Sequence, residues 1–192
     1  MLKSLSIALL LFPFISFGQD TPTDFLDKEF HKQKREELRA KLPDNSVAVF
    51  FANPKRNRAN DVEYVYHQDP DFYYLTGYRE PGAMVMIFKE NQKNVDGKQY
   101  NELIFSQSNN NRRATYDGTI LGVEGVKALG FELVHDAGDF KEMEVDFSTF
   151  DKVLFFNFKE DIRDDTRNEA DLYSLTVQFK DKANYPIDYN AD

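Results

Sequence analysis

Apolar positions along the chain gather in short runs at residues 47–52, 84–88, 103–105 and 153–156, each too short for a helix and none strictly alternating. A strand buried on both faces reads as a continuous apolar run, the pattern left when helices cover both sides of a sheet. The expectation is an α/β layered domain with helices on both faces of the sheet. Helical spacing is predicted over 28–42, with Leu38 and Leu42 on one face and Pro43 closing the helix. It is predicted again over 119–129, ended by Gly130, and over 139–147, where Phe140, Met143 and Phe147 recur at helical intervals. A further helix is marked by the capping box of Thr166 and Glu169, after which Leu172, Leu175 and Phe179 share a face. Between strands, Asp96-Gly97 reads as a turn and 109–111 as a polar Asn loop.

Residues 1–18 stand apart from this pattern. Lys3, an apolar stretch over 5–17, and the small residues Ser16 and Gly18 at the positions a signal peptidase reads form an export signal. The competing reading is a membrane anchor, but the stretch holds Pro13 and falls short of the roughly 20 apolar residues that span a bilayer. Cleavage before Gln19 predicts a periplasmic or secreted protein with no stable membrane anchor. The mature chain then divides into a flexible polar lead over 19–27, one domain over 28–183, and the start of a linker over 184–192.

Composition narrows the possible chemistry. The 192 residues carry 24 Lys plus Arg, 33 Asp plus Glu and no Cys, which excludes disulfides, thiolate zinc sites and a cysteine nucleophile. The formal charge of -9 is uneven, near +3 over residues 1–60 and -12 beyond, so nucleic acid is a poor partner for most of the surface. His31, His67 and His135 show no close ligand spacing and read as ordinary surface or half-buried side chains. There is no Gly-x-Ser-x-Gly elbow and no Walker loop, and the spacing of Gly118, Gly122, Gly125 and Gly130 does not make a dinucleotide fingerprint. The acidic run 161–165 is either a hard-cation site or, more simply, a solvated loop. Lys55, Arg56 and Arg58 lie in a loop that binds an anion, meets a partner's carboxylates, or is merely solvated.

One segment departs from average sequence. Over 58–83, Tyr64, Tyr66, Phe72, Tyr73, Tyr74 and Tyr78 are interleaved with charges, and the segment ends in a turn at Gly77, Glu80 and Pro81. A packed hairpin or strand is expected, with Phe72 and Tyr74 to one side and Tyr73 and Leu75 to the other. Aromatic residues with polar tips suit a surface where one side is buried and the other meets a partner or ligand.

The ungapped series Arg58, Asp61, Tyr64, His67-Gln68, then Asp71 through Gly77 with Phe72 and Tyr73 inside it, then Glu80-Pro81 and Ala83, resembles the N-terminal domain of aminopeptidase P. That family belongs to the creatinase and prolidase-like "pita-bread" metallopeptidases. Support comes upstream from the residues at 35–38, Asp44, Ser46, Ala52 and Pro54, and the resemblance spans about residues 30–185. It departs from the family pattern where His67 replaces a common Arg and at Ala114 through Gly118 and Ile120, where an acid, an indole and an Arg are usual.

The resemblance implies a mixed-sheet α/β domain preceding a C-terminal catalytic domain. In that absent domain two manganese ions would activate water against the bond before a proline at the second position of a peptide; none is bound by this chain. It further implies homo-oligomers, an aromatic at Tyr73 reaching a neighbouring subunit's cleft, and interface or structural roles for the other motif residues. Two functions remain open from sequence: the non-catalytic N-terminal part of a secreted Xaa-Pro aminopeptidase, or a freestanding binding or oligomerisation module of the same fold.

Overall fold

The computed structural model describes residues 26–60, 62–94, 96–108, 120–156 and 170–185. The first helix, α1 (Lys28–Lys41), starts where Asp27 accepts a hydrogen bond from Phe30 N at 2.8 Å and stops at Leu42, ahead of Pro43. Its inward stripe is His31, Arg35, Leu38 and Leu42, so two polar residues share the buried face with the two leucines.

Five strands make the main sheet: β1 (Ser46–Phe51), β4 (Met84–Lys93), β5 (Gln99–Ser106), β6 (Val134–Asp136) and β7 (Lys152–Phe155), in the order β6-β5-β4-β1-β7. The β1–β4 and β4–β5 pairs are antiparallel, whereas β1–β7 and β5–β6 are parallel, so the sheet is mixed. A two-stranded ribbon, β2 (Asn57–Ala59) with β3 (Val62–Glu63), lies outside it. The β4–β5 turn is the expected one: Asn94 Oδ1 accepts from Asp96 N and Lys98 N, and Gly97 sits at φ 77°.

Both faces of the sheet are covered over β1, β4 and β5, as their continuous apolar runs require, whereas the run at 153–156 falls at the edge strand β7 and leaves Leu154 and Phe156 exposed. On the first face Ala48, Val85, Ile87 and Ile104 pack with Leu42 of the α1 end, with Phe72 and Leu75 of α2 (Pro70–Thr76), and with Val126 of α3 (Gly122–Ala128). On the second face Val47, Val49, Met86, Phe88, Leu103 and Phe105 meet Phe140, Phe147 and the Leu175 and Phe179 side chains of α4 (Leu172–Lys182).

Two expectations need correction, at 139–147 and at 72–75. Residues 139–147 do not form one helix. Asp136 and Asp146 each accept from a backbone N–H two residues on and start two short 3-10 turns, Ala137–Lys141 and Phe147–Thr149, that drop Phe140 and Phe147 onto the sheet separately. The last helix is capped by Asp171, which accepts from Ser174 N at 2.8 Å; the expected capping box at Thr166 and Glu169 lies outside the described residues. The expected hairpin or strand at 72–75 is the helix α2. The expected export signal, the acidic run 161–165 and Ala114 through Gly118 also lie outside the described residues.

Candidate functional site

The tyrosine-rich segment resolves into a helix, a polar knot and an exposed ribbon. Helix α2 forms because Asp69 accepts from Asp71 N and Phe72 N at 3.1 Å each, Pro70 takes the first helical position, and Gly77 ends the helix at φ 70°. Helical rather than strand periodicity then buries Phe72, Leu75 and Thr76 and turns Tyr73, half-buried, and Tyr74, exposed, outward. Two rings of α1 join them. Phe30 meets Tyr74, and His31 meets Tyr73, each edge to face with centroids 5.4 Å apart. Lys34 Nζ stands 6.0 Å from the Tyr74 ring centre and binds Glu37 at 2.9 Å.

A seven-residue helix cannot hold itself in water, and its last carbonyls need donors. Gly77 N donates to Tyr73 O at 2.8 Å, His31 Nδ1 to Tyr74 O at 2.9 Å, and Arg35 Nη1 to Leu75 O at 2.9 Å. Because a carbonyl only accepts, the His31 contact places a proton on Nδ1. Arg35, 0% exposed, forks onto Glu102 of β5 at 3.0 and 2.9 Å and lies 4.0 Å from the centre of the Phe131 ring. Arg39 adds a second cation to Glu102 at 2.8 Å.

The knot ties the exit of β1 to the segments before α2 and β4. Gln68 Oε1 accepts from Asn53 N and Asp69 N at 2.9 and 2.8 Å, while its Nε2 donates to Glu80 O at 2.9 Å. Tyr66 Oη shares its proton between Asn53 O and Glu80 O at 3.1 and 3.3 Å. The Glu80 carboxylate accepts from Leu121 N at 2.9 and 3.1 Å, pinning the entry of α3. Burial raises the Glu80 carboxyl above the usual range, and the Leu121 and Tyr78 hydrogen bonds pull the other way without prevailing. Burial likewise pushes the phenols of Tyr66 and Tyr78 up, helped by the charge of Asp69 and Glu80 at Tyr66 and of Glu80 at Tyr78.

The structure therefore scatters the motif among distinct tasks. Phe72 is core, Gly77 is a cap, and Gln68 and Glu80 are knot residues beside a half-buried Pro81. Arg58 and Tyr64 are exposed on or after the ribbon, where Lys55 pairs with Glu63 at 3.4 Å, and Asp61 lies outside the described residues. At position 67 the backbone carbonyl receives Asn53 Nδ2 at 3.1 Å while the His67 ring is exposed, so the knot does not depend on the Arg usual in the family.

The reading of all three histidines as surface or half-buried is corrected at His31, which is 2% exposed. His135 is half-buried, stacks on Phe105 at 5.5 Å, and has its pKa lowered by burial against the opposing charge of Asp139. Among the described residues no three His, Asp or Glu side chains converge on a metal position. Sequence reasoning passed over Glu102, and it read His31, Arg35 and Tyr66 only as an ordinary histidine, a residue supporting the resemblance and one of an aromatic series. The signal for His31 and Arg35 was their i, i+4, i+7, i+11 register with Leu38 and Leu42.

A mixed sheet covered by helices, with an aromatic helix at its surface, defines a mixed-sheet α/β domain. The family described as "Aminopeptidase P, N-terminal domain" matches residues 31–151. The chain belongs to that family. It is 31% identical over 128 residues to Xaa-Pro aminopeptidase 3 of Dictyostelium discoideum, covering 65% of this chain and 24% of that protein. It is 31% identical over 121 residues to intermediate cleaving peptidase 55 of Schizosaccharomyces pombe, covering 62% and 24%. Among solved structures, that of the Pseudomonas aeruginosa aminopeptidase PepP superposes with a TM-score of 0.57 at 28% identity over 68% of this chain and 28% of that one. The chain thus spans a quarter or less of the length of these curated relatives.

Proposed function

We propose that this domain is the non-catalytic N-terminal part of an exported Xaa-Pro aminopeptidase, shaping the cleft of a C-terminal pita-bread domain and mediating homo-oligomer contacts. The family match over 31–151 carries the reading. The half-buried placement of Tyr73 on α2 supports a role for its side chain in reaching a peptide in a neighbouring subunit's cleft. The pair of manganese ions belongs to the catalytic domain. When bound there, such a pair would supply an activated water for attack on the bond before proline.

The division of labour has a direct test. Residues 1–192, purified and incubated with manganese and a Gly-Pro peptide, are expected to release no N-terminal amino acid, whereas the polypeptide that joins this domain to a catalytic domain releases it. Metal-dependent turnover by the 192-residue chain would overturn the non-catalytic assignment, and failure of the joined polypeptide on any Xaa-Pro peptide would overturn the substrate class.

A further inference from the structure

The end of α2 is held from outside the helix. Of its last four carbonyls, those of Tyr74 and Leu75 receive their donors from the buried face of α1, through His31 at 2.9 Å and Arg35 at 2.9 Å. Helix α1 thereby reads the rotation of α2 about its own axis, since a hydrogen bond to a named carbonyl fixes an azimuth that apolar contact leaves free. The His31 ring also touches Tyr73 edge to face at 5.4 Å. It reaches that place only because position 77 has no side chain: a Cβ on Gly77 would stand 2.8 Å from His31 Cδ2 and 2.9 Å from Nε2. Arg35 is itself immobilised by the fork onto Glu102.

We propose that His31 and Arg35 are positioning residues for Tyr73: they clamp the C-terminal end of α2 so that the Tyr73 ring is presented in one orientation. The clamp matters to catalysis only through the reading of Tyr73 as a peptide contact, on which this inference rests. A ring already fixed loses less rotamer freedom when substrate arrives, which favours binding.

The chain contains no Trp, so Tyr73→Trp installs a lone indole as a reporter. Its fluorescence anisotropy and acrylamide quenching are measured in the 192-residue chain with His31, His31→Ala, His31→Asn and Arg35→Met. His31→Ala is expected to raise the quenching constant at least twofold and lower the anisotropy while circular dichroism keeps the helix signal. His31→Asn, which retains a donor near the Nδ1 position, restores most of both. Unchanged quenching in folded His31→Ala, or equal loss in His31→Asn and His31→Ala, would overturn the clamp. If His31→Ala does not fold, Arg35→Met carries the comparison: it is expected to raise the quenching constant and lower the anisotropy, and a reporter as rigid in folded Arg35→Met as in the parent overturns the clamp. In the joined enzyme, His31→Ala is expected to raise KM for a Xaa-Pro peptide more than it lowers kcat, and to add little on top of Tyr73→Ala. Unchanged kinetics in Tyr73→Ala alongside a loosened reporter in His31→Ala would remove the peptide-contact reading and leave the clamp standing.

Discussion

On the side of the sheet covered by α4, the cover is fixed by rings. Phe179 meets Phe51, Phe147 and Phe155 with centroids 5.5, 5.3 and 5.3 Å apart, and Phe105 meets Phe140 at 5.0 Å. On the opposite side, Leu42, Phe72 and Leu75 supply apolar packing, but His31, Arg35 and Glu102 lie among them and bond to one another's elements. Apolar burial is non-directional and scales with area, so on the aromatic side the buried rings hold the fold together, with Lys182 Nζ of α4 also donating to Met143 O at 2.9 Å. Hydrogen bonds to single carbonyls contribute less net free energy but fix geometry. Helix α2 sits on the side where hydrogen bonds to its carbonyls specify position.

The largest effect that separates the two sides is expected from Phe179→Ala. Removing a ring that is 0% exposed destabilises by about 3–5 kcal/mol through lost transfer energy and an unfilled cavity. Urea unfolding measures it. Under native conditions the indole at position 73 in the surviving folded molecules is expected to keep its parent quenching. A loosened reporter in Phe179→Ala would show that the two sides are not separable.

This contrast also explains what could be read from sequence. The aromatic side was legible because Phe140, Phe147, Leu175 and Phe179 are apolar and only the local geometry between them, two 3-10 turns in place of a helix, depended on Asp136 and Asp146 competing for backbone N–H groups. The positional side was obscured because its inward residues are polar. His31 and Arg35 look like surface positions of a charged helix until Glu102, 67 residues on from Arg35, supplies the partner carboxylate. Helix α2 was mistaken for a strand because its rings are consecutive, and the cap chemistry of Asp69, Pro70 and Gly77 outweighs the β preference of Phe72, Tyr73 and Tyr74.

A middle-sized effect tests the close approach within the positional side. Gly77 and Gly97 both have positive φ, 70° and 77°, but only the first has His31 in the path of a Cβ, while the second has nothing within 4 Å. Gly97→Ala is expected to cost about 1–2 kcal/mol, the left-handed backbone term alone. Gly77→Ala is expected to cost more than that in urea unfolding, because the His31 ring must leave its hydrogen bond to Tyr74 O. In a His31→Ala background the two glycine substitutions should converge. A persistent gap would place the strain in some other contact of Gly77.

The smallest effect concerns Glu80, which joins the knot to the entry of α3. Its native pKa lies above the ordinary 4.5 because burial outweighs the hydrogen bonds from Leu121 N and Tyr78. The native state then binds a proton at pH values where the unfolded state has already released it. Stability from this group is highest below 4.5 and declines as pH rises through the raised native value. Glu80→Gln keeps an acceptor for Leu121 N and removes the titration, so urea midpoints of wild type and variant are expected to draw apart in the variant's favour as pH rises through that window. Exposure of part of the carboxylate to water keeps the difference small. A difference that moves in the opposite direction would mean that the two Leu121 hydrogen bonds stabilise the ionised carboxylate more than burial opposes it, and that Glu80 fastens α3 more firmly as an anion than as an acid.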